Sequence, residues 1–94
     1  MSLVPTYDEA ADALYLCARP GVDVDTTVEL DTRVIVDRDI DGIAIGVELL
    51  GAARHGIPTG MLANALGRDQ TDEQEIADAA LTAIRGRPSA AEPD

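Results

Sequence analysis

The densest run of chemistry-bearing residues is Asp37-x-Asp39-x-Asp41-Gly42, with Glu48 downstream. Carboxylates at alternate positions, then a glycine and a later glutamate, reproduce the oxygen-ligand spacing of an EF-hand calcium loop. Asp37, Asp39 and Asp41 are therefore the candidate ligands of a divalent cation. The surroundings argue the other way. Both flanks are β-branched runs, and Ala44 stands where such loops usually carry a branched apolar residue. An extended chain from Gly42 carries Glu48 about 20 Å from the turn, out of reach of a shared coordination sphere. Asp-Gly between β-branched runs is also a hairpin signal, because Gly accepts positive φ and Asp side chains bond their own backbone. The hairpin reading is preferred, and a weak calcium site on the three Asp alone is the alternative.

Three other groups invite chemistry. Asp8 and Asp12 flank a turn between Tyr7 and Leu14-Tyr15. A catalytic carboxylate pair needs a cleft and one raised pKa; as structure, the same two residues fix the turn while the tyrosines pack on neighbouring strands. His55, the single histidine, lies in Ala53-Arg54-His55-Gly56. A general base is conceivable there, but no Ser, Cys or acid is spaced to complete a triad, and a surface loop histidine is preferred. Cys17 sits mid-strand among apolar residues, where a thiol is usually inert. Phosphate loops, zinc motifs and nucleophile elbows are missing. The expectation is a non-catalytic protein with no cofactor.

Period-2 patterning places the elements that carry these residues. Strands are expected over 3–7, 13–18, 26–30, 33–37 and 43–50. Pro5 cannot donate to a ladder, so the first belongs at an edge. Leu14 and Leu16 alternate with Tyr15 and Cys17, and Ile43, Ile45, Val47 and Leu49 alternate with Ala44, Gly46, Glu48 and Leu50. Beyond Gly51 the period changes. A helix over about 60–66 is expected after a Thr59 cap. A second, over about 72–85, follows a Thr71–Gln74 capping box, with Ile76, Ala80 and Ile84 as its apolar stripe, widened by Ala77 and Leu81. Gly86 and Pro88 end it. The fold class predicted is α+β: an antiparallel meander of four to five strands, with C-terminal helices on the Ile43/Ile45/Val47/Leu49 face. Residues 1–86 form one domain, and 87–94 read as a disordered tail.

Composition narrows the function classes. The chain has 94 residues, 7 Arg, no Lys and 18 acids, for a formal net charge of -11. Phosphate binding needs clustered cations, so nucleic acid is excluded as the expected partner. No apolar run is long enough to span a membrane. A single cysteine precludes an internal disulfide and points to a reducing cytoplasm. Arg without Lys, with abundant Ala, points to a prokaryotic genome. Two Tyr and no Phe or Trp leave a small aliphatic core, which favours a homo-oligomer, preferably a dimer.

The series Tyr7-Asp8-x-x-x-Asp12-x-Leu14-Tyr15, Val34-x-Val36-Asp37, Asp41-Gly42 and Gly46-Val47-Glu48 resembles the prokaryotic domain-of-unknown-function family 2283 over about residues 4–53. The resemblance implies a small antiparallel sheet with a following helix and no assigned catalytic residue. Its motif positions here are Tyr7, Asp8, Asp12, Leu14, Tyr15, Asp37, Gly42, Gly46 and Glu48. It also implies a conceivable antitoxin-like role, an acidic chain masking a basic protein encoded nearby. Cys17 and the extension from about Gly56 depart from the family pattern.

Overall fold

The computed structural model describes residues 3–86. The expected tail, 87–94, lies outside the described residues. Five antiparallel strands, β1 (Val4–Asp8), β2 (Ala13–Cys17), β3 (Thr26–Asp31), β4 (Val34–Arg38) and β5 (Ala44–Leu50), form one sheet. Three helices follow: α1 (Ala52–His55), α2 (Thr59–Leu66) and α3 (Glu73–Gly86). The α+β class and the antiparallel sheet are as predicted. The order across the sheet is β1-β2-β5-β4-β3. The hairpin β1-β2 and the meander β3-β4-β5 are thus each contiguous, and the long connection 18–25 lets β5 dock on β2. Both edges are blunted: β1 carries Pro5, and β3 carries a bulge at Leu30 between acids Glu29 and Asp31.

The helices cover one face. α3 lies over β1 and β2, and α2 over β4 and β5. Leu14, Leu16, Val34, Val36, Val47 and Leu49 project from the sheet into a cluster closed by Leu62, Leu66, Ile76 and Ala80. These side chains are almost fully removed from water, so each Leu, Ile and Val among them contributes about 1.5–3 kcal/mol of transfer free energy. The aliphatic core therefore closes within one chain.

The expected Ile43/Ile45/Val47/Leu49 face is corrected by a β-bulge. Asp37 pairs with Gly46 but Arg38 pairs with Ala44, so Ile45 is an extra residue on β5. The insertion reverses the alternation on its N-terminal side. Ala44 joins the helix-covered cluster, Ile43 is exposed, and Ile45, though buried, lies outside that cluster. The carbonyl of Ile45 accepts from the N–H of both Ala18 (2.8 Å) and Arg19 (3.2 Å), which holds the bulge against β2.

The helix starts also differ from the expected caps. Asp72, not Thr71, caps α3: its Oδ1 accepts from the Glu75 N–H at 2.9 Å, and its carbonyl accepts from Ile76. Thr71 is buried and donates instead to Glu75 Oε1 at 2.8 Å. Thr59 is the first residue of α2 rather than its cap, and its hydroxyl donates to Glu73. Leu81 is exposed, so the buried stripe of α3 is Ile76 and Ala80 with Ala79, Ala83 and Ile84 partly covered.

Candidate functional site

The family-motif residues gather into three structural knots. The first joins the β1–β2 turn to the end of β5. Asp8 Oδ1 accepts from the Ala11 N–H at 3.3 Å. Asp12 adopts φ of 51°, a left-handed conformation that Asp tolerates better than most residues. Its carbonyl accepts from Gly51 and Ala52, and its carboxylate accepts from the N–H groups of Ala53 (2.8 Å) and Arg54 (3.0 Å). Tyr7 Oη donates to Asp12 Oδ1 at 2.6 Å. The Tyr7 hydrogen bond, then the α1 backbone donors, hold the Asp12 carboxyl below the ordinary aspartate range. Asp12 thus serves as an ionised cap for α1, the opposite of a general acid with a raised pKa. Leu14, two residues on, is buried in the core. Sequence patterning gave no sign of α1, which is only four residues long.

The second knot lies on the helix-free face of the sheet. Tyr15 Oη donates to Asp37 Oδ2 at 2.9 Å, and Thr27 Oγ1 donates to Asp37 Oδ1 at 2.9 Å. Four strands are crossed by this chain, since Tyr15 is on β2, Asp37 on β4 and Thr27 on β3, with Gly46 of β5 beneath the tyrosine. A Cβ on Gly46 would stand 2.2 Å from Tyr15 Oη and 2.5 Å from Cζ. Glycine is therefore required by the close approach of the phenol. Burial, then the Asp37 hydrogen bond and charge, push the Tyr15 phenol up from its ordinary value, so it stays a proton donor. Glu48 pairs with Tyr15 on one side and Ile35 on the other, half-buried on the same face. Cys17 is half-buried opposite Gly46.

The third knot is the Asp-rich turn. Asp39 is buried, and its Oδ1 accepts from the N–H groups of Asp41 and Ile43, both at 2.9 Å. Its Oδ2 pairs with the Arg19 guanidinium, which also donates to the carbonyls of Ala44 and Ile43 at 3.3 Å. Gly42, at φ of 81°, donates its N–H to the Asp39 carbonyl at 2.9 Å, as the hairpin reading requires. The three candidate cation ligands are not brought together. Asp37 is bonded across the sheet, Asp39 is occupied by Arg19 and backbone donors, and Asp41 is exposed. Among the described residues, no group of three His, Cys, Asp or Glu side chains is placed to hold a metal ion. His55, at the end of α1, is exposed.

The Ile43 N–H, then the Asp41 N–H and Arg19, hold the Asp39 carboxyl below its ordinary value. A carboxyl with a depressed folded pKa adds stability above its unfolded pKa of about 3.9, and that stability is lost as pH falls through the folded value. Asp39→Asn removes this contribution. The Tm difference between wild type and Asp39→Asn should therefore shrink as pH is lowered from 6 to 2, read by circular dichroism; a constant difference contradicts the ionised turn.

The sequence did not single out Arg19, which ties the 18–25 connection to the Asp39 turn. Nor did it flag the aliphatic residues around that turn. Val22 is 38 % exposed, Val24 51 %, Ile43 49 % and Ile40, at the turn apex, 81 %. Val22, Asp23, Val24 and Asp25 line an open groove of about 350 Å³ with Asp39 and Ile40. The available signal was Ile40 itself, an apolar side chain between two Asp in a turn where polar residues usually serve.

Among the described residues, no helix is long and apolar enough to cross a membrane. Comparison with curated proteins and with solved structures finds no match. Residues 6–52 match the family described as "Protein of unknown function (DUF2283)", a span that runs from β1 through β5 to the first residue of α1 and includes every motif residue of the three knots. This span is half of the chain, and the chain belongs to that family.

Proposed function

We propose that this chain is a non-catalytic interaction module whose recognition surface is the loop end formed by residues 22–25 and 39–43. The observation that carries the reading is the concentration of exposed aliphatic side chains there. Among the described residues nine large apolar side chains are exposed, and Val22, Val24, Ile40 and Ile43 belong to these two loops. Exposed aliphatics grouped on a rigid support mark interaction sites more often than scattered ones do. The chemistry-bearing side chains support the same reading. Tyr7, Asp12, Tyr15, Asp37 and Asp39 are spent on holding strands and turns together, and a residue so bonded is poorly placed to transfer protons to a substrate.

The test uses the immobilised full chain and a random-peptide phage library. The reading expects enriched peptides whose retention is lost on a Val24→Ser/Ile40→Ser double variant of unchanged Tm. Absence of enrichment, or peptides indifferent to the double variant, contradicts it. The same exposed aliphatics favour a homodimer as the second reading, with another copy on this end. Light scattering then expects twice the 9.9 kDa chain mass for wild type and the single-chain mass for Ile40→Ser.

A further inference from the structure

We infer that the groove between the Val22–Asp25 segment and Ile40 docks a partner peptide that places an aliphatic or aromatic anchor beside Arg or Lys residues; this rests on the interaction-module reading above. Two observations converge on that chemistry. Three of the residues that line the groove are aliphatic, Val22, Val24 and Ile40, and all three are exposed. Its rim is acidic: Asp23 and Asp25 line it and Asp41 stands beside Ile40. Among the described residues, no hydrogen bond or ion pair engages the carboxylates of Asp23, Asp25 and Asp41 within the chain. The cation that bridges the two loops, Arg19, is already matched by Asp39. Aliphatic side chains interleaved with unmatched carboxylates are complementary to a cationic, apolar-anchored segment.

The alternative occupant, a second copy, fits the charge poorly. The chain carries -11, and its docking on this end would set Asp23, Asp25 and Asp41 against acidic surface, which costs affinity. The groove is also preorganised. Asp25 N–H donates to the Arg38 carbonyl at 2.8 Å, which fixes one wall to β4. Asp39 fixes the other through the bonds to Asp41, Ile43 and Arg19. Walls already fixed before binding lose little freedom on association.

The experiment sequences the peptides enriched on the full chain and measures the tightest by fluorescence polarisation. The inference expects an apolar residue flanked by Arg or Lys. Ile40→Ser should weaken binding by at least about tenfold. Asp23→Asn/Asp25→Asn should weaken it severalfold, and so should raising NaCl from about 50 to 300 mM. Both variants change exposed side chains and should keep the wild-type Tm. Peptides that depend on Ile40 but are neutral or acidic, with no response to salt or to the Asn pair, overturn the basic partner while leaving the module reading intact. A wild-type dimer abolished by Ile40→Ser assigns the groove to a second copy and also overturns it. No Ile40-dependent peptide and no such dimer would end both proposals.

Discussion

Leu49→Ala should lower the unfolding free energy by about 2–5 kcal/mol, the range for emptying a fully buried leucine site. Leu49 lies on the central strand, pairs with Leu14 of β2 and Val34 of β4, and is 1 % exposed. Its neighbours belong to a sheet pinned on both sides, so the cavity cannot collapse cheaply. For a domain of this size the loss corresponds to a fall in Tm of at least about 8 °C. Urea titration should show a lower midpoint with an unchanged slope, because the surface exposed on unfolding is nearly the same. A loss below about 1 kcal/mol would mean that the helices do not close over this face as described.

Gly46→Ala carries the second large effect, and its sign depends on one neighbour. The added Cβ would overlap the Tyr15 phenol, forcing the ring aside and breaking its bond to Asp37. The cost expected is about 1–3 kcal/mol. A Tyr15→Ala background removes the three atoms nearest the added methyl group. Glycine within a strand is itself unfavourable by roughly 0.5–1 kcal/mol relative to Ala, so there the same substitution should be neutral or stabilising. A double-mutant cycle by denaturant unfolding therefore expects a coupling of 1 kcal/mol or more, with a change of sign. Additive effects would show that Tyr15 does not rest on Gly46.

Much of the fold is legible in local pattern. Leu14/Leu16 against Tyr15/Cys17, Val34/Val36 within β4, and Asp41-Gly42 at the β4–β5 turn each follow from period-2 burial or positive φ. What escaped the sequence has specific causes. The bulge at Ile45 reverses the alternation of β5, and its cue is a lone Gly46 inside a strand, whose reason is a tyrosine on β2. The pairing of β5 with β2 is a long-range choice that no local propensity encodes. Thr71 and Asp72 are both good cap residues, and the choice between them is made by Thr71 turning inward to Glu75. The motif residues were legible as a set but not in role. Asp12 reads from sequence as a turn-fixing or catalytic carboxylate and Asp37 as a hairpin or cation-site residue, and their actual partners, Tyr7 with α1 and Tyr15 with Thr27, are brought to them only by the sheet. Ile40 was a signal in the sequence, but the groove it lines with Val22 and Val24 depends on the closure of the turn by Asp39 and Arg19.

The proposed division of labour is between motif residues that hold the sheet and a loop end that meets a partner. Chemical-shift perturbation of the ¹⁵N-labelled full chain, titrated with the tightest library peptide, tests it most directly. The predicted result is that the largest shifts fall on the amides of Val22–Asp25 and Ile40–Ile43, with small shifts at Tyr15, Ile35 and Glu48. Shifts concentrated on the helix-free sheet face, or along β1 and α3, with the loop end unmoved, would contradict it.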